Sequence, residues 1–511
     1  MTRTVRLKSL AAMAALAASL PFSLEAAPFA SRVVISGGTN VSFILNEPAD
    51  ALAYRLNGVG PLQPLSGATK GTKTFSMNAP TDTFEIFVNK IDTVGYTIPT
   101  GATIAAVSTG LSQTTNESGF KLISDDSNAL TRFNSPRGVS VSNNPNASNF
   151  GVAYVANSAA GNTTGVVRAV GDGLYAINSD QSDAYGYGNT EKDPGNLFDA
   201  VSASANSAFR VMVSATGEVY TADFSDANAN ANRATADLSA GARLLAGVGG
   251  PSALPVGQNH GSTTAVYVEG SAANGDLVLY TLDEDLTSAQ FGGVSTTDKN
   301  SLWRYNIGSG ALPSNVTPTK VNASNVLLTA ATSDLDRGAD GKFYLAQTRS
   351  AGGEAGLVVL NADGTTAFDS LSASRTLLGN PTAVDIFRNT QAIAVSLDQK
   401  WLAVMVNNSD VAVVPLVAGI PDLANRLIVN TGTDITSGRD IAFDAAGNIH
   451  YVSSGQALYR VISPGGATYA KTSWNGQSYS FSVSAVPEPS TLGLLGSACI
   501  GAIGLVRRRR A

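Results

Sequence analysis

The feature that most constrains the fold is a short motif that returns along most of the chain: a glycine, any residue, an apolar residue and then usually an aromatic one. Six copies begin at Gly151, Gly217, Gly275, Gly341, Gln399 and Gly447, and the copy at Gln399 is degenerate. Successive copies are 48 to 66 residues apart. Several copies follow a segment in which apolar and polar residues alternate, and many copies are followed by a further strand-like segment. A strand, a turn, a second strand, a loop and a third strand at this period predict the blades of a β-propeller.

The number of repeats predicts the number of blades. The copies lie within residues 119–484, which gives six blades of roughly 60 residues each. A seven-bladed ring stays open as an alternative, because Asn-Ala-Asp-Gly at 361–364 follows another strand pattern. Residues 134–141, Asn-Ser-Pro-Arg-Gly-Val-Ser-Val, resemble the blade openings of NHL-like extracellular propellers. That resemblance implies an architecture and no activity.

Before the repeats, residues 28–115 show a separate pattern of short strands. Apolar residues alternate with polar ones at Val33 and Ile35, and again at Val41, Phe43 and Leu45, which is typical of half-buried strands. Residues 41–50 resemble the opening strand and turn of Ig-like domains attached to bacterial surface proteins. We therefore expect an all-β protein: a small N-terminal β-sandwich, the propeller, and a single C-terminal hydrophobic helix.

The first 27 residues have the order of a secretory signal peptide. Basic residues at Arg3, Arg6 and Lys8 precede an apolar run, and small residues follow at Ala26 and Ala27. We expect cleavage after Ala26 or Ala27. An N-terminal amphipathic helix is the alternative, although the run has no polar face.

Residues 486–511 carry the most specific pattern in the chain. Pro487, Glu488 and Pro489 are followed by an apolar run over 492–506, and then by Arg507, Arg508, Arg509 and Arg510. This order predicts a short transmembrane helix whose basic end stays in the cytoplasm. It closely resembles the PEP-CTERM sorting signal of Gram-negative bacteria; a plain C-terminal anchor is the alternative.

The PEP-CTERM resemblance concerns delivery and not activity. It implies export by the Sec machinery, transient anchoring in the inner membrane and processing by an exosortase, in bacteria that make exopolysaccharide and biofilm. The protein would then stay at the cell surface or outside the cell.

Composition excludes several functions. Removing both ends takes away seven of 33 Lys and Arg residues and two of 39 Asp and Glu residues, which leaves a net charge of −11. A body this acidic lacks the basic surface that nucleic-acid binding requires, so we exclude nucleic acid as a partner. The single Cys499 lies in the apolar tail, so the exported body has neither a disulfide nor a cysteine nucleophile.

Few residues are suited to catalysis. His260 and His450 are the two histidines; the first lies in a polar loop, and the second occupies a position that sister repeats fill with tyrosine, so we expect it to pack inside a blade. No nucleophile elbow or ordered triad surrounds His260. Zinc is not expected as a cofactor, because a structural site needs four Cys or His ligands.

Two acidic segments are the candidate sites. Asp226, Asn228, Asn230 and Asp237 approximate a calcium loop, but Ala231 stands at the glycine position and Asp237 replaces the usual glutamate. We therefore keep calcium as a weak candidate and otherwise expect no cofactor. The segment 333–341 places Asp334, Asp336 and Asp340 close together, although turns are rich in aspartate for structural reasons.

These observations favour a noncatalytic protein that binds polysaccharide or another surface protein. The alternative is a calcium-assisted propeller hydrolase or lyase acting on extracellular polysaccharide, which would bring at least three of the acidic residues to one mouth of the ring. A purely structural layer component is a third hypothesis.

Overall fold

The computed structural model describes residues 23–24, 27–91, 96–97, 121–187, 190–194, 208–224, 230–245, 263–283, 301–309, 319–322, 327, 332–348, 353–406, 410–428, 437–464 and 467–485. The described part forms a ring of β-sheets and a two-sheet sandwich. The predicted all-β class is therefore confirmed.

The ring has six blades in the described part of the chain, each an antiparallel sheet whose first strand lies innermost. Blade 1 contains Pro136–Val141, Ala153–Asn157 and Gly173–Ile177; blade 2 contains Val211–Val213, Val219–Asp223, Asn230–Ala234 and Gly241–Leu245; blade 3 contains Thr263–Glu269, Leu277–Asp283, Ser301–Gly308 and Thr319–Lys320. Blade 4 contains Thr332–Arg337, Phe343–Gln347, Leu357–Leu360 and Thr366–Asp369; blade 5 contains Thr390–Val395, Trp401–Val406 and Asp410–Val417, the last pairing with both Ile420–Pro421 and Leu427–Ile428; blade 6 contains Gly438–Phe443, Ile449–Ser453, Leu458–Ser463 and Lys121–Leu122.

Blade 6 closes the ring. Its outermost strand, Lys121–Leu122, comes from the chain before blade 1 and pairs with Leu458–Ser463. Six apolar clusters each join two consecutive blades, and the cluster of Val139, Val155 and Val452 joins blade 6 to blade 1. The seven-bladed alternative is wrong, because residues 361–364 form the turn between the last two strands of blade 4.

The repeated glycine motif marks one structural position in every blade. Each copy ends the turn between the first and second strands, where the backbone is left-handed, with φ of 81° at Gly151 and 90° at Gly447. Glycine adopts this conformation without a steric penalty, which explains the motif. Gln399 has the same conformation, with φ of 62°, and is therefore a true sixth copy.

Shorter elements lie between the blades and within them. One α-helix, Ser370–Leu378, follows blade 4; Asp369 caps its start by accepting from the backbone of Ser372, and Gly379 ends it in a left-handed conformation. Single 3₁₀ turns span Ala129–Thr131 and Leu423–Asn425, and a small hairpin joins Gly161–Asn162 to Ala169–Val170.

The sandwich combines strands from both ends of the described chain. One sheet contains Ala30–Ser36, Asn40–Leu45 and Gly71–Ser76; the other contains, in spatial order, Tyr479–Ala485, Ala467–Trp474, Phe84–Ile91, Ala51–Leu56 and Gln63–Pro64. We expected the propeller to extend through residue 484 and the sandwich to end at 115. Ala467–Trp474 instead pairs with Phe84–Ile91, and Tyr479–Ala485 pairs with Ala467–Trp474, because apolar side chains of this hairpin cover the same sandwich core.

The sandwich packs directly on blade 1. Phe150 lies in the turn of blade 1, and its ring contacts those of Phe29 and Phe481, with centroids 5.7 and 5.5 Å away. The backbone N–H of Arg32 donates to the carbonyl of Phe150 at 3.0 Å, and the Asn146 amide exchanges hydrogen bonds with the backbone of Tyr479.

The chain ends bear on delivery. A short pairing of Ser23–Leu24 with Tyr96–Thr97 is described, whereas most of the expected signal peptide, the sorting motif and the apolar run 492–506 lie outside the described residues. Within the described residues, no helix is long and apolar enough to cross a membrane.

Candidate functional site

The inner strands of the ring surround a cavity of about 500 Å³, which we call the cup. Its wall combines aliphatic side chains, among them Val139, Val211 and Ile393, with polar ones such as Tyr267 and Asp336. Residues that follow the ends of the inner strands, including Asn143, Pro145, Ala215 and Leu397, form its rim. The cup is therefore a concave site that combines apolar contact area with polar groups, as ligand sites do.

Polar side chains of the cup accept hydrogen bonds from the backbone N–H groups of the inner strands. An innermost strand has no further strand to pair with, so its inward N–H groups need other acceptors. Side chains of the preceding blade supply them. Asp440 accepts from the N–H of Val139 at 2.8 Å, and the Ser140 hydroxyl accepts from that of Val213 at 3.1 Å.

The same device joins blade 4 to blade 5. Asp334 accepts from the N–H of Ile393 at 2.8 Å, and Asp336 accepts from that of Val395 at 2.6 Å. The second oxygen of Asp336 accepts from the N–H of Arg337 at 2.7 Å. These carboxylates therefore connect neighbouring blades.

Arg210 closes the end of the cup opposite the rim. Its guanidinium forms a salt bridge with Asp440 at 2.7 Å and donates to the Gln391 carbonyl, also at 2.7 Å. It also donates to the carbonyls of Arg137 and Arg439, so one side chain from blade 2 reaches blades 5, 6 and 1. Arg210 and Asp440 are only 5% and 4% exposed, so this charge pair lies inside the ring.

Burial controls the protonation of the cup's carboxyls. It raises the pKa of Asp336 to about 7, against the opposing effect of two backbone hydrogen bonds. Burial also raises the pKa of Asp334 and of Asp440, although the positive charge of Arg210 opposes the rise in both. The cup thus combines three carboxyls with one neutralising guanidinium at its closed end.

The expected acidic cluster is only partly brought together. Asp334 and Asp336 line the cup, but Asp340 lies in the exposed turn and pairs with Lys342 at 2.5 Å. Asp126 lies at the outer side of blade 6, where it forms a salt bridge with Arg460. Two of the acidic residues that we predicted therefore meet in the cup, and Asp440 is a third that sequence reasoning missed.

The structure leaves the calcium hypothesis as a prediction. Asp226 and Asn228 lie outside the described residues, and Asn230 begins the third strand of blade 2. Asp237 accepts from the hydroxyls of Thr235 and Ser239 in a tight turn. Among the described residues, no group of three or more acidic, His or Cys side chains is arranged to hold a metal ion.

His450 packs inside blade 6, as we predicted. It is 2% exposed, with Nδ1 2.7 Å from the hydroxyl of Tyr459 and Nε2 3.2 Å from a carboxylate oxygen of Asp444. Asp444 also accepts from two backbone N–H groups of the glycine turn, so this set stabilises the blade. His260 lies outside the described residues.

The C-terminal segment matches a known family model. Residues 485–510 match the PEP-CTERM protein-sorting motif, as the order of motif, apolar run and arginines led us to expect. The protein is therefore exported, anchored transiently in a membrane and recognised by an exosortase, which processes it. The match covers this segment alone. No curated protein matches the chain in sequence.

Three solved structures illustrate the range of similar folds. A structural genomics protein of unknown function from Bacteroides thetaiotaomicron VPI-5482 is 12% identical, with a TM-score of 0.41, and the match covers 83% of this chain and 94% of that one. Streptogramin B lyase is 12% identical, with a TM-score of 0.39 over 68% and 99% of the two chains. A nidogen/laminin complex is 11% identical, with a TM-score of 0.30 over 46% and 68%. The propeller assignment itself comes from the strand pairing described above.

Proposed function

We propose that this protein is a noncatalytic binding protein of the cell surface or extracellular matrix, and that its cup takes part of an extracellular polysaccharide or of another surface protein. Export and exosortase processing deliver it to that place. A Gram-negative bacterium that makes exopolysaccharide and forms biofilm would provide such ligands.

This proposal rests on the hydrogen bonds that the cup's carboxylates make. Asp334, Asp336 and Asp440 each accept backbone N–H groups that join two blades. A general base or nucleophile needs an oxygen that reaches the substrate. Carboxylates committed to the frame support a binding role, and the aliphatic wall supplies contact area for a ligand.

One observation favours the alternative, a calcium-assisted hydrolase or lyase acting on extracellular polysaccharide. Three carboxyls line a single cavity, and burial raises the pKa of Asp336 to about 7, a value suited to a general acid. This alternative also requires that the loop containing Asp226 and Asp237 binds calcium, which we propose separately.

A thermal melt with product analysis separates the two functions. The exported protein, without residues 1–26 and 492–511, is heated with and without calcium and against a panel of bacterial polysaccharides. A ligand at 100 times its Kd stabilises the folded state by about 2.7 kcal/mol, so specific binding raises the melting temperature. A rise without released fragments supports binding, whereas released fragments support the enzyme.

A matched pair of variants locates the binding site. Ala215 is exposed at the rim of the cup, and Ala240 is exposed on the outer side of blade 2. We expect Ala215→Trp to obstruct the cup and abolish the ligand-induced rise, while Ala240→Trp leaves it intact. An unchanged rise in Ala215→Trp would place the ligand elsewhere and contradict the proposed role of the cup.

A further inference from the structure

The strand Tyr479–Ala485 forms one edge of the five-stranded sheet of the sandwich; within the described chain it pairs only with Ala467–Trp474. Its sequence, Tyr-Ser-Phe-Ser-Val-Ser-Ala, contains neither a charged residue nor a proline. An open edge can pair with another chain, and proteins usually prevent this with charges, prolines, bulges or very short edge strands. This edge has none of these protective features along its seven residues.

The other three edges of the sandwich are protected. The opposite edge of the same sheet is the two-residue strand Gln63–Pro64, which contains a proline. In the smaller sheet, one edge strand carries Lys73, and the other carries Arg32 within a bulge. The contrast indicates that the edge at Tyr479–Ala485 is left open for pairing.

The hydrogen bonds of Asn146 show which backbone groups of this edge strand point outward. The Asn146 amide, from the turn of blade 1, accepts from the N–H of Tyr479 at 2.7 Å and donates to the carbonyl of Tyr479 at 3.0 Å. Backbone groups alternate in direction along a strand, so those of Phe481 and Val483 also point away from the sheet. No described residue forms a hydrogen bond with these outward groups of Phe481 and Val483. Two N–H groups and two carbonyls are therefore unpaired, and they lie symmetrically about Ser482.

The side chains of this strand also suit pairing with another strand. Phe481 and Val483 point inward and pack on the sandwich core. Ser480, Ser482 and Ser484 lie on the opposite face of the sheet and are exposed. These serines are small and neutral, so they neither obstruct nor repel a strand placed alongside.

We propose that this edge binds the same strand of a second copy of the protein, in antiparallel orientation and with the two-fold axis at Ser482. Phe481 then lies opposite Val483 of the second copy, and each of these residues donates to the other and accepts from it. All the unpaired groups of both strands are satisfied. Residues two apart share a face, so apolar side chains meet apolar ones and serines meet serines.

A second copy fits this edge better than a foreign strand does. The unpaired groups are symmetric about one residue, as a two-fold interface between identical chains requires. Asn146 occupies the position opposite Tyr479, so it limits the pairing to residues 480–484. A longer foreign strand would collide with Asn146, whereas the strand of a second copy ends there, at Ala485.

The pairing should be weak between freely diffusing copies and stronger at the membrane. Few hydrogen bonds cross the interface, and the net charge of −11 on each body opposes close approach. The sorting motif begins at residue 485, where the edge strand ends. Transient anchoring therefore holds the edges of neighbouring copies near one membrane surface, which raises their effective concentration. This self-association does not depend on what the cup binds.

Single cysteines test the pairing and its register. The exported protein without residues 1–26 and 492–511 has no thiol, so Ser482→Cys introduces the only one. At the two-fold axis the two Cα atoms would lie about 4.5 Å apart, which a disulfide can bridge.

Ser480→Cys is the matched control, because it lies on the same exposed face of the same strand. Its position lies opposite Ser484 of the second copy, so two copies of the new cysteine would be about 14 Å apart. In a glutathione redox buffer, we expect at least tenfold more disulfide-linked dimer from Ser482→Cys than from Ser480→Cys. A mixture of Ser480→Cys and Ser484→Cys should form the heterodimer.

Val483→Pro separates the pairing from the fold. Proline removes an outward N–H that the sheet does not use, so the strand should stay in place and the melting temperature should not change. Added to Ser482→Cys, it should reduce the disulfide-linked dimer to the level of Ser480→Cys. If Val483→Pro lowers the melting temperature, the comparison of the cysteine variants alone decides.

Two results would overturn the proposal. Equal amounts of dimer from Ser482→Cys and Ser480→Cys, whether large or negligible, would show that the edges do not pair in this register. Undiminished dimer from a folded protein that carries both Ser482→Cys and Val483→Pro would show that another surface brings the copies together.

Discussion

The ring and the sandwich differ in how far apart in the sequence their paired strands lie. Five blades use strands from a continuous stretch of chain, and blade 6 borrows only two residues, Lys121 and Leu122, from the other end. The sandwich depends on a whole hairpin, residues 467–485, that lies almost 400 residues after the strand Phe84–Ile91 with which it pairs. Each blade packs its faces against two neighbouring blades, so the loss of one blade would expose apolar surface on both neighbours. The sandwich instead depends on one pairing between segments that lie far apart in the sequence, and it is most vulnerable there.

Removal of the hairpin is the change with the largest expected effect. Deleting residues 467–511 exposes one edge of Phe84–Ile91 and the apolar core around Ala470, so we expect the sandwich to unfold while the ring stays folded. Hydrogen exchange measured by mass spectrometry should show lost protection in 84–91 and retained protection in 136–141. A truncation after residue 485 is the control. Equal protection of 84–91 in both proteins would show that the hairpin is dispensable.

Replacement of Arg210 should destabilise the ring. In Arg210→Met, Asp440 stays buried without its cation, which costs about 3–5 kcal/mol for such a pair. Urea unfolding measures the loss, and Arg243→Met is the control. The additional change Asp440→Asn should recover part of the stability, since it removes the unpaired charge. A loss below about 1 kcal/mol would mean that the pair contributes little.

Phe150 tests the contact between the two regions. Phe150→Ala removes a buried ring from the cluster with Phe29 and Phe481, and we expect a loss of about 3 kcal/mol. Because this cluster joins blade 1 to the sandwich, the variant should show two calorimetric transitions where the parent shows one. Phe150→Leu keeps most of the apolar contact and should behave like the parent. Two transitions in the parent itself would contradict the coupling.

The pH dependence should differ between the regions, with the smallest effect of the four. The pKa of Asp336 is raised from about 3.9 in the unfolded chain to about 7, so the folded state binds the extra proton between these values. Lowering the pH from 8 to 6 should therefore increase the ring's melting temperature by a few degrees. Asp336→Asn should reduce this dependence.

The sandwich should not gain stability over that range. Burial would raise the pKa of Glu85, but the hydrogen bonds and charges of Arg55 and Lys471 outweigh burial and lower it. Its contribution is constant above the unfolded pKa and is lost only as the pH falls below about 4. Separate hydrogen-exchange rates for 84–91 and 390–395 at pH 6 and 8 would reveal a parallel response if this assignment is wrong.

The propeller could be predicted because its signal is local. Each turn needs a left-handed residue at one position, so Gly217 or Gly447 marks a blade without reference to any other blade. The extent of the sandwich could not be predicted in the same way. The alternating pattern of 479–485 fits an outer blade strand as well as a sandwich strand, and the pairing of residues 467–474 with 84–91 leaves no mark in a single sequence.

The candidate site was only partly predictable for a related reason. Asp334 and Asp336 belong to one segment and stood out together, but Asp440 and Arg210 come from two other blades and meet them only after the ring closes. One signal was available: Arg137, Arg210 and Arg439 all lie at or just before the start of a blade's first strand. Aligning the six repeats on their glycine turns would have drawn attention to these arginines.

The position of the hairpin also sets an order of events during export. If the chain emerges from its N-terminus, the strand Phe84–Ile91 can pair early with Ala51–Leu56, but its other edge stays unpaired until residues 467–474 have crossed the membrane. The sorting motif begins immediately afterwards, at residue 485. Completion of the sandwich and arrival of the membrane anchor are thus nearly simultaneous, and an exosortase meets a substrate whose last strand has only just become available for pairing.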